Sequence, residues 1–306
     1  MINVYVIIVT YNGLHWIDKC IGSLQKSSLQ PKIIIVDNGS TDDTCKKIQE
    51  QYSEVHLIQL KDNLGFGRAN NVGIKEAYEF GATNFFLLNQ DAWVEPDTIE
   101  KLTTMQNKNP EFAILSPLHL NGQGTALDYN FSIYIVPFAC PNLYSDFCLN
   151  MVADKAYEVD FVNAAAWLLT RECIEKVGGF NPSFFHYAED DNYIQRVHYY
   201  KFKVGICPLC KIFHDRGNRP NHSIEDDFEK FKKACINKYS NPFSKKTITK
   251  DISRLKISIL QFLLKGKINT AKTLIKQHKI LSEIKVLVTN NLNKSIKGDQ
   301  LCFLND

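Results

Sequence analysis

The sequence predicts an α/β fold in which parallel strands alternate with helices on both faces of one sheet. The prediction depends on four apolar runs of strand length, separated by segments with helical spacing. The runs at 4–9, 33–36 and 85–88 are apolar throughout, which is typical of a strand that is buried on both faces, whereas the run at 55–60 includes His56 and Gln59. Because crossovers between parallel strands are nearly always right-handed, the alternation indicates a doubly wound sheet. The four runs are 4–9, 33–36, 55–60 and 85–88.

The first run, Val4 to Val9, follows no basic segment and no cleavage site, so we expect a strand there rather than a signal peptide. Apolar residues at helical spacing then predict a helix from Leu14 to Lys26. After the second run, Ser40 or Thr41 would cap the next helix. A glycine-rich turn follows the third run and opens a helix that ends near Phe80. The fourth run then completes a βαβαβαβ order.

Every predicted strand ends in polar residues. Since the carboxyl ends of parallel strands line one edge of a sheet, these residues should converge on one crevice. Asn and Asp are ordinary turn residues, so one such cluster would indicate only a loop, whereas four in succession indicate a common ligand site. The residues are Thr10, Tyr11, Asn12, Asp37, Asn38, Asn63, Asn89, Gln90 and Asp91.

The chemistry of the strand ends suits a nucleoside with a metal-bound diphosphate. No GxGxxG follows the first strand and no GxxxxGK[ST] is present, which disfavours a dinucleotide fold and excludes a P-loop. Asp37 would accept hydrogen bonds from a base or ribose, and Asp91 would bind the cation. The alternative for Asp91 is that it only caps the turn after its strand.

Four ordered motifs resemble the family 2 glycosyltransferases with a GT-A fold: VTYN at 9–12, VDNGSTD at 36–42, NLGFGRANNVGI at 63–74 and LLNQDAWV at 87–94. The rhamnosyltransferase-like branch is the most similar, because NQD stands where other members carry DxD. The resemblance extends from about residue 3 to about residue 217. It implies a mixed sheet flanked by helices, a UDP- or dTDP-sugar donor, and Mg²⁺ or Mn²⁺. It also places Arg68 and Asn71 beside the donor crevice.

The segment FFHYAEDD at 184–191 matches the ED motif of the family. The resemblance implies that Asp190 is the general base, with Glu189 as the runner-up or as the residue that orients the acceptor. Adjacent acids repel one another, and partial burial would raise a pKa towards a useful range. Without the resemblance, the same acids would also fit an ordinary helix N-terminus.

His214 follows a predicted strand at 204–213. Many GT-A enzymes have a third metal ligand at such a position, which makes His214 a candidate partner of Asp91; a structural histidine is the alternative. The polar segment 216–226 is predicted to be a mobile loop, in which Arg216 and Arg219 would either meet the diphosphate or remain solvated. The aromatic stretch 129–138 predicts β structure, with no assigned role.

Charge divides the chain into two parts. Residues 241–306 carry 13 Lys and Arg against 4 Asp and Glu, whereas residues 1–240 have a net charge of −6. We therefore expect a catalytic domain at 1–240 and a basic, amphipathic helical extension at 241–306. The extension would pack on the catalytic domain or on a second copy as a homodimer, or make peripheral contact with an anionic membrane near a lipid-linked acceptor.

These observations predict an inverting transfer of a sugar to a hydroxyl of a glycan or lipid-linked glycan, in surface polysaccharide assembly. A sugar-phosphate nucleotidyltransferase would need a GxGTR-like loop after the first strand, and a non-catalytic nucleotide-sugar binding protein would not need the ED acids. A nucleic-acid partner is disfavoured because the main domain is acidic. No apolar run is long enough to span a bilayer, so we expect a cytoplasmic location, with the inner face of the membrane as an option.

The nine cysteines lack paired spacing, apart from Cys207 and Cys210. A single CxxC is a weak zinc signal, and Pro208 inside it fits a turn equally well. We therefore expect most of these cysteines to be reduced and buried.

Overall fold

The computed structural model describes residues 2–152, 154–218, 226–245, 247–298 and 300–304 of the 306-residue chain. Its N-terminal half alternates strands with helices and contains four parallel strands in the spatial order β3-β2-β1-β4. This confirms the predicted parallel sheet. The elements are β1 (Val4–Thr10), α1 (Ile17–Gln25), β2 (Lys32–Asp37), α2 (Thr44–Gln51), β3 (His56–Gln59), α3 (Phe66–Glu79) and β4 (Asn84–Asn89).

The central strands are apolar on both sides because both faces of the sheet are covered. In β1, Tyr5 and Ile7 contribute to one apolar cluster, which includes residues of α3. Val6 and Ile8 point the other way and pack in a second cluster with residues of α1. Alternate side chains of a strand point to opposite faces, so a strand buried on both faces has no polar positions between its ends.

The second half of the chain makes the sheet mixed. Strand β8 is antiparallel to both β4 and β6, β6 is parallel to β9, and β5 is antiparallel to β9. The elements are β5 (Ala92–Val94), α4 (Thr98–Lys108), β6 (Phe112–Asn121), α5 (Tyr129–Tyr134), α6 (Leu143–Cys148), β7 (Tyr157–Glu158), β8 (Ala166–Thr170), α7 (Arg171–Val177), α8 (Glu189–Tyr199) and β9 (Lys203–His214).

Two local predictions are wrong. The stretch 129–138 is helical at α5 rather than β, because the side chain of Asp128 accepts a hydrogen bond from Phe131 N at 2.9 Å and caps the helix. Neither Ser40 nor Thr41 caps α2, which has Asp43 at its N-cap position. The Ser40 hydroxyl instead donates to Asp37 Oδ1 at 2.5 Å.

The C-terminal extension packs on the catalytic body. Helix α9 (Asp227–Ser240) and the two antiparallel helices α10 (Ile248–Leu264) and α11 (Ile268–Lys297) share one apolar cluster with Phe184. Asn291 donates to Asn181 Oδ1 at 3.1 Å, and Tyr200 donates from its hydroxyl to Ser295 O at 2.8 Å. Because α9 belongs to the same cluster as the extension, the domain division at residue 240 stays a prediction.

The last described residues are bound behind the catalytic body. Gly179 N donates to Cys302 O at 2.8 Å. At Gly178, where φ is +82°, an added Cβ would lie 2.0 Å from that carbonyl, so only glycine fits there. No described helix combines the length and the apolarity needed to cross a bilayer.

Candidate active site

A cavity of about 870 Å³ opens at the carboxyl ends of the parallel strands. It brings together most of the predicted site residues, although they are distant in sequence. The strand ends therefore converge as expected for an open α/β sheet. Of the predicted residues, the cavity wall includes Tyr11, Asn12, Asn38, Asn63, Asn89, Gln90, Asp91, Glu189, Asp190 and Arg216; Asn163 also lines it.

Thr10 and Asp37 lie directly behind the cavity wall. Both are buried, and Asp37 accepts hydrogen bonds from Thr10 Oγ1 at 3.0 Å and from Ser40 N at 2.9 Å. These contacts hold the loop after β1 against the loop after β2. The nucleoside-binding role of Asp37 stays a prediction.

Amide side chains join the other strand-end loops. Asn38 donates to Asn63 Oδ1 at 2.9 Å and accepts from Leu64 N at 2.8 Å. Gln90 pairs with the backbone of Tyr11 in both directions, because its Oε1 accepts from Tyr11 N at 2.9 Å and its Nε2 donates to Tyr11 O at 3.2 Å. The polar clusters therefore form one connected wall. Many of their side chains form hydrogen bonds with neighbouring strand-end loops, and these bonds hold the wall in place.

Arg68 and Asn71 do not border the cavity, which corrects their predicted position. Arg68 Nε donates to Pro182 O at 2.8 Å, and Asn71 donates to Phe180 O at 2.8 Å and accepts from Phe180 N at 2.7 Å. Both side chains extend from α3 away from the sheet edge and towards segment 180–182. They hold the chain that leads into the acidic motif.

Asp91 lines the cavity, and His214 lies directly beside it. Strand β5 pairs with β9 so that Ala92 lies opposite His214. This register brings Asp91 Oδ1 to 3.5 Å from His214 Nε2, with both side chains buried. Asn89 Nδ2 lies 3.4 Å from the same ring nitrogen. The strand pairing therefore joins the two predicted metal ligands.

Asp128 is a site residue that the sequence did not reveal. Its Oδ2 lies 3.5 Å from His214 Nδ1 and 3.2 Å from Arg216 Nε. Arg216 Nε lies 3.4 Å from the same Nδ1 atom, so Asp128 and Arg216 hold this side of the ring while Nε2 faces Asp91. In the sequence, Asp128 is only an acidic residue before an aromatic stretch. Aspartate is common at such positions as a helix cap, so nothing there indicates a site.

The Asp91–His214 pair fits a cation that is shared with a ligand. Within the part of the chain that the structure describes, no group of three or more His, Cys, Asp or Glu side chains could hold a metal ion. A hard cation such as Mg²⁺ takes one or two carboxylates and completes its shell with phosphate oxygens and water. The donor set therefore suits a cation that arrives with a diphosphate.

The acidic motif stands at the start of α8, after two left-handed residues. Tyr187 and Ala188 have φ values of +67° and +71°, which turn the chain so that Glu189 and Asp190 face the cavity. The preceding loop is fixed by Phe66 N, which donates to Phe185 O at 3.1 Å. An added Cβ at Gly65 would lie 2.0 Å from that carbonyl, so this close approach requires glycine.

Burial raises the pKa values of both acids, Glu189 and Asp190, towards neutral pH. Burial, and then the charge of Asp190, raises the pKa of Glu189 to about 7. Burial, and then the charge of Asp191, raises the pKa of Asp190 to about 6. Glu189 Oε2 has no hydrogen-bond partner among the described residues. A carboxylate with such a pKa is an effective proton acceptor near pH 7.

The family model described as Glycosyl transferase family 2 matches residues 5–177, which is more than half of the chain. The chain belongs to glycosyl transferase family 2. Membership explains why the strand-end motifs, the Asp91 position and the mixed sheet occur together. It confirms the resemblance that the motifs indicated.

The curated relatives of the chain include glycosyltransferases of the rhamnosyl and hexosyl types. The chain is 23% identical over 241 residues to a low-salt glycan biosynthesis hexosyltransferase of Haloferax volcanii, covering 77% of this chain and 74% of the relative. It is 26% identical over 219 residues to a dTDP-rhamnosyl transferase of Shigella flexneri, covering 71% and 70%. This family 2 member is therefore an enzyme, a glycosyltransferase in the rhamnosyltransferase-like branch.

Solved structures confirm the GT-A fold. TarS 1–349 of S. aureus in complex with UDP-GlcNAc matches 97% of this chain and 91% of its own, with a TM-score of 0.56 at 14% identity. GalNAc-T7 with UDP, GalNAc and Mn²⁺ matches 78% of this chain and 47% of its own, with a TM-score of 0.56 at 15% identity. The predicted mixed sheet, flanking helices and C-terminal helical extension are all present.

Proposed function

We propose that the chain transfers a sugar from a UDP- or dTDP-linked donor to a hydroxyl of a glycan or lipid-linked glycan acceptor, with inversion at the anomeric carbon. The observation that carries this proposal is one cavity whose wall includes the strand-end residues, Asp91 with His214 beside it, and the Glu189–Asp190 pair. Among the relatives, a dTDP-rhamnosyl transferase supports a nucleotide-linked donor. An N-acetylglucosaminyl-diphospho-decaprenol L-rhamnosyltransferase of Mycobacterium tuberculosis supports a lipid-linked acceptor in glycan assembly.

In the proposed reaction, Asp190 accepts the proton of the acceptor hydroxyl as its oxygen bonds to the anomeric carbon. The bond from that carbon to the diphosphate oxygen breaks in the same step, and the nucleoside diphosphate leaves with the bonding electrons. Because attack and departure occur on opposite faces, the configuration inverts. Asp91 and His214 would hold Mg²⁺ or Mn²⁺, which neutralises charge on the departing diphosphate.

The acceptor would enter along the aromatic part of the cavity wall. This part includes Tyr134, Phe161 and Tyr187. Mostly apolar walls with a few polar groups are typical of small-molecule sites. A lipid-linked acceptor would place the enzyme in the cytoplasm at the inner face of a membrane. Segment 216–226, predicted to close over the nucleotide, lies largely outside the described residues, and Arg219 lies wholly outside them.

A panel of nucleotide sugars tests the donor class. With Mn²⁺ present, we expect UDP- or dTDP-sugars to raise the unfolding temperature, because a ligand at 100 times its Kd adds about 2.7 kcal/mol of stability. The stabilising donor should also be hydrolysed slowly without an acceptor, as detected by release of the nucleoside diphosphate. Stabilisation only by GDP- or CMP-sugars, or by none, would contradict the proposed donor.

The pH dependence should reveal the acid pair. Since the pKa of Asp190 is raised to about 6, kcat/KM should fall as pH drops below that value and level off above the Glu189 value of about 7. Stability should change in the opposite direction. A carboxyl with a raised folded pKa holds more protons in the folded than in the unfolded state, so its contribution is lost as pH rises through the folded pKa. Initial rates and unfolding temperatures from about pH 5 to about pH 8 measure both. A flat kcat/KM across this range contradicts the prediction.

A further inference from the structure

The two-helix hairpin formed by α10 and α11 has an exposed tip that is both apolar and basic. We define the hairpin tip as residues 260–268. Within it Leu264 is 80% exposed, Leu260 59% and Ile268 57%. The surrounding segment 252–282 contains seven Lys and Arg and no Asp or Glu. Folding alone does not require large aliphatic side chains to be exposed next to a group of cationic residues.

Helix α10 has two apolar stripes, and folding uses only one of them. Ile252 and Leu255 pack against the cluster shared by α9 and α11. Ile257, Leu260 and Leu264 follow at spacings of three and four residues on the opposite side and are exposed. Side chains at this spacing lie on the same face of a helix, so these three residues form one stripe. The second stripe is therefore left largely uncovered by the residues that the structure describes, and apolar surface of this kind marks a site of interaction.

The tip is a defined turn. Gly266, with a φ of +65°, ends α10, and Lys267 N donates to Phe262 O at 2.9 Å. Gly266 N donates to Leu263 O at 3.0 Å. These bonds are those of a helix C-terminus closed by a left-handed glycine. The turn holds Leu264 and Ile268 on either side of two lysines, Lys265 and Lys267.

We propose that the hairpin tip docks on an anionic lipid surface. The aliphatic side chains enter the boundary between headgroups and acyl chains, while the flanking lysines contact anionic headgroups. Charge complementarity selects this occupant over a second copy of the chain. In a symmetric dimer the same surface meets itself, so Lys265 and Lys267 of one copy would face the cationic tip of the other.

Docking at the tip would hold the whole chain at the surface. Helix α11 continues from the tip to the contacts of Asn291 with Asn181 and of Ser295 with Tyr200, so the hairpin is fixed to the catalytic body. This inference rests on the proposed function and names the part of the chain that would contact the membrane carrying the lipid-linked acceptor. It concerns a surface outside the cavity, and vesicle binding is measured without a donor, so either conclusion can fail while the other stands.

Flotation of the full chain with vesicles tests the proposal. We expect binding to vesicles with about 30% phosphatidylglycerol, weaker binding at high salt, and little binding to pure phosphatidylcholine. Leu264→Glu should reduce partitioning about tenfold or more, because a charge replaces a large exposed aliphatic group at the boundary. Val286→Glu is the matched control, since Val286 is 68% exposed on α11 but lies outside the tip. It should bind as the unmodified chain does.

Insertion can be followed directly with Leu264→Trp. Its fluorescence should shift to the blue on anionic vesicles, whereas Val286→Trp should not shift. Donor hydrolysis by Leu264→Glu should equal that of the unmodified chain, which shows that the variant is folded.

Three outcomes overturn the proposal. They are no binding of the unmodified chain to anionic vesicles, equal loss in the Leu264 and Val286 variants, and a concentration-dependent dimer in sedimentation that Leu264→Glu abolishes while vesicle binding persists. The last would assign the tip to a second copy of the chain.

Discussion

Replacing Asp190 by Asn should lower the transfer rate by about 10²- to 10⁴-fold, the usual contribution of a general base. The amide is nearly the same size as the carboxylate but cannot accept the acceptor proton. Donor affinity should change little, because the strand-end wall and the Asp91–His214 pair lie on other elements. Single-turnover rates with a saturating acceptor, together with donor titration, separate the two effects.

The neighbouring acids provide matched controls for this variant. Asp191 also lines the cavity, so Asp191→Asn removes an adjacent charge without removing the proposed base; we expect most of the activity to remain. Glu189→Gln tests the runner-up. Normal turnover in Asp190→Asn would eliminate the base assignment, and loss only in Glu189→Gln would transfer the role to Glu189.

Stability distinguishes a catalytic defect from misfolding. Burial raises the pKa of Asp190 to about 6, so its ionised form destabilises the folded chain above that pH. Asp190→Asn should therefore unfold at a higher temperature than the unmodified chain at about pH 8, with a smaller difference near pH 5. An inactive variant that is also more stable would be the signature of a residue retained for chemistry.

The sheet could be predicted from the sequence because its central strands are buried on both faces. Because 85–88 is buried on both faces, it contains no polar residue, and the polar residues begin at the strand end, Asn89–Asp91. The same sequence pattern therefore indicates both the strand and the site. The Asp91–His214 contact could be anticipated only from the family. The two residues are brought together by antiparallel pairing of β5 with β9, and strand pairing between distant segments leaves no local pattern.

The direction of the side chains explains why the position of Asn71 was predicted wrongly and why Asp128 was missed. Asn71 belongs to the motif at 63–74, of which Asn63, Gly65 and Phe66 line the cavity, but it lies in the second turn of α3 and faces the Phe180 backbone. Asp128, which the sequence analysis did not single out, caps α5 through Oδ1, while its Oδ2 lies 3.5 Å from His214 Nδ1. A pattern of residue types cannot show that one carboxylate serves two structures.

Replacing Asp91 by Asn should raise the Mn²⁺ concentration required for activity by about 100-fold or more, since even outer-shell changes cost 10- to 100-fold in metal affinity. His214→Ala should have an effect in the same direction. Chelation of the unmodified enzyme should abolish transfer, and added Mn²⁺ should restore it. Rates measured across a metal titration test this, and an unchanged metal requirement in both variants would exclude the pair as ligands.

The opposite substitution, Asn89→Asp, tests why the site has one carboxylate. Asn89 Nδ2 lies 3.4 Å from His214 Nε2, so an acid there would face the same point as Asp91. With a second carboxylate, Mn²⁺ should bind before the donor, whereas the unmodified chain should need the oxygens of the diphosphate. Calorimetric titration of Mn²⁺ without a donor should then show binding in Asn89→Asp and little in the unmodified chain. Equal affinities would mean that Asn89 does not limit metal binding. Tight binding only in the variant would show that this single amide makes cation capture depend on the donor.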